Sequence, residues 1–498
     1  MKNYRNLFLI TASALLLFVG CNDAIEIDQP GRLDAASAFQ TEADFQAGMY
    51  WLYNNLDSTP EIALSAVYTD EVAVGVSSGG QGLAQLNYVL TPGSTASSNF
   101  WTRNYRVVNF ASRMIEAAAS ITGEGVDTAK INNLLGQAHA IRAYAMTELV
   151  SYYSTDLGDD NALGVIAIDY VPSLDEQLLR NTNAETFALI NSDIEKAMSL
   201  IASTTTDVTV FTKDAVTALK ARVAAYRQDY ATALSAASTL VAKYDLATVA
   251  EYPDVFADDS DAEIIFKLER TIGDDYDGQG SMGSTAAGGW AGARFCFKGA
   301  IEDPYFEVSR SLFNILDAND VRHDIVVNPN STVDADYTNS ADYKNTDILY
   351  VGKYLGSEGQ KLMNDLKIFR ASEMVLIVAE AQVAQNNLAD AAQTIKTLRD
   401  ARFGTDTTAP SFSSQQDAFG AILDERRVEF AFEGHRYKDL KRLGIRGNRN
   451  AVKDAMDCKI AGAANCSLNA DDYRFTLPIP LIEFNGNPGL REQQNPGY

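Results

Sequence analysis

Three histidines in 498 residues leave little room for imidazole chemistry. They stand at His139, His323 and His435, too scattered for a zinc-ligand spacing. Cysteine is as scarce, with only Cys21, Cys296, Cys458 and Cys466. Positive charge is in deficit: 41 Lys and Arg face 66 Asp and Glu, a net of −25. Nucleic acid needs a basic footprint that this chain lacks, and an anionic membrane surface would repel it. No P-loop, G-x-S-x-G or H-E-x-x-H occurs. Gly278, Gly280 and Gly283 fit G-x-G-x-x-G, but the "STAAGGWAGA" that follows cannot open a helix onto a pyrophosphate. No cofactor is expected. The acids of "DDSDAE", Asp258 to Glu263, lack the glycine and distal glutamate of a calcium loop, so a solvated turn and no dedicated metal site are expected.

Long apolar runs are also missing. The longest, Leu7 to Val19, is thirteen residues, short of the roughly 20 that span a bilayer. It follows Lys2 and Arg5 and ends at "LFVGC", which reads as a signal peptide over residues 1–20 with Cys21 as the lipidated first mature residue. The other reading is an ordinary signal with a chance cysteine. An exported chain permits disulfides, and Cys458 and Cys466 close a short loop worth about 2.6 kcal/mol in the chain-entropy model. A metal site there is less favoured, because no histidine sits nearby. Cys296 is expected to be a packed free thiol.

What the chain has in abundance is helical periodicity. "NNLLGQAHAIRAYAMTELVSYY", Asn132 to Tyr153, carries apolar residues at spacings of three and four. The segments starting at Leu219 and Ile377 align without gaps: Ala221 with Ala379, Asp229 with Asn387, Ala231 with Ala389, Ala233 with Ala391, Leu240 with Leu398. Each reads as two helices around a short polar turn, with alanine where they cross, as in a tetratricopeptide hairpin. Two unrelated alanine-rich hairpins would give the same pattern. Length alone suggests two to four domains unless a repeat carries the whole chain. Three long irregular stretches interrupt the helices: Gly75 to Ser98, Ile272 to Arg294 and Asn328 to Gly359. Loops of that length are functional or mobile. A short strand, "EIIFKLER", precedes the second.

"ILDERRVEFAFEGHRYKDLKR", Ile422 to Arg442, places Glu425, Glu429 and Glu433 at i, i+4 and i+8 if it is one helix. Exposed like charges at that spacing repel. Arg426, Arg427 and Arg436 lie three or four residues from an acid, so an ion network is expected rather than a catalytic carboxylate pair.

The same segment resembles the C-terminal signature of the SusD/RagB family, outer-membrane nutrient-binding lipoproteins. "FTLPIPLIEFNGNPGLREQQNPGY" is similar to that family's chain end, and "FRASEMVLIVAEAQ", "GQAHAIRAYAMTEL", "WTRNYRVVNFA" and "ETFALINSDIEKAM" fit in order. The resemblance runs from Cys21 to Tyr498. It implies one domain over 21–498, mainly α, in which a tetratricopeptide-like superhelical scaffold carries long loop insertions and a few short strands. It implies a protein at the outer face of the outer membrane, catching oligosaccharide, or in some relatives peptide, for a SusC-like TonB-dependent transporter. It implies no catalysis. A lipoprotein glycoside hydrolase is the rival from another class, and a purely structural helical adaptor is a third reading. Sugar sites pair an aromatic face with a few polar groups. Trp51 and Trp101 read as core. Trp290, in a Gly-rich loop near Tyr276 and Arg294, is the expected binding aromatic, with Gln81 and Tyr88 as further candidates.

Overall fold

The computed structural model describes residues 38–121, 126–173, 175–273, 289–297, 300–462 and 465–498. Cys21 and Tyr276 lie outside these residues. The long helices are α1 (Glu42–Asn55), α2 (Thr59–Val67), α3 (Thr95–Ala117), α4 (Thr128–Tyr153), α5 (Asn183–Leu200), α6 (Lys213–Tyr226), α7 (Tyr230–Val241), α8 (Ala371–Ala384), α9 (Leu388–Phe403), α10 (Gln415–Glu429) and α11 (Arg436–Gly447). They pack mainly on sequence neighbours: α3 on α4, α4 on α5, α6 on α7, α8 on α9 and α10 on α11. Their starts are set by side-chain caps. Asp127 accepts from the amides of Ala129 and Lys130, and Thr182 with Glu185 closes a reciprocal capping box.

The two aligned segments are the same hairpin. Gln228 and Asn386, at matching positions, both turn the chain with left-handed φ values of +59° and +63°. Ala221, Ala233, Ala379 and Ala391 are fully buried, as are Leu240 and Leu398. Ala231 and Ala389 are exposed in both. Small residues at the crossing let the helices approach closely, and α8 then packs against α7, stacking one hairpin on the other.

The "EIIFKLER" segment forms β2 (Ile264–Leu268), antiparallel to β6 (Leu366–Arg370). β1 (Val72–Val74) pairs with β5 (Phe306–Val308), and β3 (Cys296–Phe297) with β4 (Ala300–Pro304). Cys458 and Cys466 are joined as a disulfide, and Cys296 is free and buried. Trp101 is core. Trp51 is half-buried, its ring stacked on Phe110 at 4.0 Å between centroids.

The Ile422–Arg442 segment is not one helix. α10 stops at Glu429, Phe432 and Gly434 take left-handed φ values, and α11 starts at Arg436. The three glutamates still meet, but their cations come from elsewhere in the chain. Arg402 Nε donates to Glu429 at 3.0 Å, and its Nη2 donates to Glu429 at 2.8 Å and to Glu263 at 2.9 Å. Arg370 donates to Glu429 at 2.7 Å and to Glu433 at 2.8 and 2.9 Å. Arg322 and Arg399 each donate to Glu425 at 2.7 Å, and Lys353 pairs with Glu433. The local arginines are engaged differently: Arg426 binds Asp439, while Arg427 and Arg436 bind Asp70. Burial alone would raise the Glu429 pKa, but Arg402 and Arg370 outweigh it and hold the group well below the usual carboxylate range. The acidic "DDSDAE" stretch is only partly a solvated turn. Glu263 is buried in this cluster, and Asp258 accepts from Asn364, the Asp365 amide and Lys367.

Candidate functional site

The loops become a site through the short strands. Leaving β1, the chain runs alongside residues 303–307: the Gly75 amide donates to the Tyr305 carbonyl at 2.7 Å and that of Ser77 to Pro304 at 3.1 Å. A Cβ at Gly75 would stand 2.3 Å from the Pro304 oxygen, so only glycine permits this approach. A Cβ at Gly82 would stand 2.3 Å from the Phe306 ring. The second loop joins at its far end, where Tyr305 donates to the Phe295 carbonyl at 2.7 Å. The third joins where Val308 donates to Leu349 at 2.8 Å and Arg310 pairs with Asp347 at 3.1 Å. Glu307 ties two loops at once, accepting from the amides of Val76 and Leu349. Burial pushes its pKa up to about 8.

The outer edge of this junction is a polar ledge. Gln81 sits exposed just past the left-handed Gly79 and Gly80, its amide donating to the Ser78 carbonyl. Ser77 donates to the exposed Asp303 at 3.2 Å, next to exposed Glu302. Tyr350, half-buried, completes it; burial raises its hydroxyl pKa, and Glu307, Glu302 and Asp303 add to the rise. The ledge offers hydroxyl, amide and carboxylate groups beside one aromatic ring, a set suited to a polyhydroxylated ligand.

Of the residues singled out by sequence, Gln81 alone is placed on this surface among those described. Trp290 is 3% exposed, packed with Ala293 and Met363. The flanking Gly and Ala do not leave the indole bare, because Met363 arrives from a distant loop. Arg294 is buried, its Nη2 donating to Thr59 at 2.8 Å. Tyr88 is buried with φ +59°, and the Lys453 ammonium lies 4.4 Å from its ring centre. Nothing in the sequence marks Ser77, Glu302, Asp303 or Tyr350. The first three are single polar residues without a pattern, and Tyr350 lies in a loop whose aromatics had no other mark.

Among the described residues no group of three or more His, Cys, Asp or Glu is placed to hold a metal ion. No described helix is long and apolar enough to cross a membrane.

The SusD family profile matches residues 312–498, and a second profile, described as starch-binding associating with outer membrane, matches residues 33–224. SusD-like protein P2 of Formosa agariphila is 25% identical, with both chains covered completely. A SusD superfamily protein from Bacteroides thetaiotaomicron has the same fold, with a TM-score of 0.76 at 22% identity over 92% of this chain and all of that one. Surface glycan-binding protein A from Bacteroides fluxus aligns at a TM-score of 0.68 and 20% identity, over 92% of this chain and all of its own. With matching profiles at both ends and a superimposable fold between them, the chain belongs to the SusD/RagB family.

Proposed function

We propose that this protein is a cell-surface lipoprotein that binds oligosaccharide on the polar ledge and hands it to a SusC-like TonB-dependent transporter in the outer membrane. The observation that carries the reading is the convergence of three long loops on the β1–β5 edge, where Ser77, Gln81, Glu302, Asp303 and Tyr350 face outward together. The outer-membrane, starch-binding description of the matching profile and the glycan-binding relative of the same fold support it.

Binding without catalysis is the better chemical fit. A glycosidase needs a carboxyl with a raised pKa next to room for a sugar. Glu61, pushed by burial to about 8, opens on a void of about 20 Å³. Glu307 and Asp457, at about 8 and about 7, share one of about 10 Å³. Neither void admits a pyranose; Glu269, whose pKa burial also raises, does line a larger groove, so the product assay is the deciding test. Titrating the protein with soluble oligosaccharides and with peptides, while following products by chromatography, tests the reading. Saccharide binding with no products is expected; released products, or binding confined to peptides, would overturn it. The anchor has its own test: Cys21→Ala is expected to leave membrane fractions while keeping its melting temperature.

A further inference from the structure

A second polar groove lies away from the ledge and shares no lining residue with it. Its walls are α1 and α4, and its floor includes the segments 205–210 and 268–271. The volume is about 640 Å³, enough for two or three sugar rings. Tyr50 stands over it 68% exposed, the most exposed of the described aromatic side chains. That exposure needs a reason, because Tyr53, three residues on, is drawn inward: its hydroxyl donates to Gln137 at 2.7 Å and accepts from the Phe211 amide at 2.8 Å.

The polar lining is only half used. Gln137 is 4% exposed and lines the groove; its Oε1 is taken by Tyr53, yet its Nε2 has no partner among the described residues. Asn133 accepts through Oδ1 from Ala202 and Thr205, which leaves its amide nitrogen to donate. Gln46 and Asn54, from the same helix face as Tyr50, line the groove with no hydrogen-bond partner among the described residues. A buried amide held in place by one bond while its donor stays open is arranged for an acceptor that comes and goes.

Charge narrows the ligand. Lys130 is committed to Glu42 at 2.7 Å, and Arg270 to the carbonyls of Leu56, Glu269 and Gly289. No described cation of the groove remains for an anionic ligand, and the exposed Asp207 and Glu269 would repel one. An exposed ring beside unengaged side-chain amides, without a spare cation, is the surface of a neutral sugar chain. We propose that the Tyr50 groove is a second binding site, for a neutral oligosaccharide whose ring stacks on Tyr50 and whose hydroxyls accept from Gln137 and Asn133.

This rests on the reading of the protein as a saccharide binder, and the test separates the two. The full chain in detergent is titrated calorimetrically with maltohexaose, xylohexaose, cellohexaose and laminarihexaose. The saccharide that binds is then titrated into Tyr50→Ala, Gln46→Ala and the ledge double variant Gln81→Ala/Tyr350→Ala. The expected result is two sites per chain. Tyr50→Ala should weaken one at least tenfold, Gln46→Ala the same one by less, and neither should move the melting temperature. One site, weakened by the ledge variant and untouched by Tyr50→Ala and Gln46→Ala, would overturn the groove and leave the proposed function standing. One site lost in Tyr50→Ala and unaffected by the ledge variant would keep the groove and overturn the ledge. No binding of any of the four would overturn both.

Discussion

Two sets of carboxyl groups are buried in this molecule, and they differ in the partners they meet. Around α10, Glu263, Glu425, Glu429 and Glu433 are met by Arg322, Arg370, Arg399, Arg402 and Lys353. Away from that cluster, Glu61, Glu71 and Glu307 have burial as their dominant influence, which carries their pKa values to about 8, about 7 and about 8. Burial is comparable; the partner decides. Asp70 makes the point within one turn of Glu71: burial works to raise it, but Arg427 and Arg436 bring it down to about 2. The paired set fixes the helical scaffold to the loop half through charge, while Glu71 and Glu307 are held chiefly by backbone amides.

The comparison breaks most visibly if a cation is taken from the paired set. Arg402→Ala should destabilise the protein by ~3–5 kcal/mol in denaturant titrations, since it strands two buried carboxylates. A double-mutant cycle sharpens it. Arg402→Ala with Glu429→Ala should show a coupling of about 1–3 kcal/mol, whereas Arg427→Ala with Glu429→Ala should be additive within about 0.5 kcal/mol, because Arg427 serves Asp70.

The unpaired set predicts a pH effect of opposite sign. Glu61 holds its proton in the folded protein up to about pH 8, while the unfolded chain releases it near 4.5. Its contribution is complete below pH 4.5 and declines as pH rises towards 8. Glu61→Gln should therefore gain stability relative to the parent between pH 5 and pH 8, read as a widening difference in melting temperature. The smallest effect belongs to the surface. Gln81→Ala should weaken oligosaccharide binding by a few-fold and leave the melting temperature within about one degree, the loss of one exposed hydrogen bond.

The scaffold was legible because helix periodicity, caps and alanine crossings act over short stretches of chain. The paired hairpins at Gln228 and Asn386 follow directly from such local marks. The ion network was legible as a need and not as a pairing: three glutamates require cations, but Arg370 and Arg402 lie 59 and 27 residues from Glu429. The ledge was the least legible part. Trp290 was singled out for its bare neighbours in sequence, and Met363 covers it from another loop. Ser77 and Asp303, 226 residues apart, carry no mark of their meeting.

The pairing of β1 with β5 also sets an order of assembly. Helices α6 and α7 need only a three-residue turn to meet, so they can form early. The Val76–Glu307 bond closes a loop of 231 residues, and contacts at such separation come late because chain entropy opposes them. The β1–β5 edge is thus completed after the hairpins, and the Asp70–Arg436 pair, 366 residues apart, later still, so a chain halted before β5 would carry helices without the β1–β5 pair.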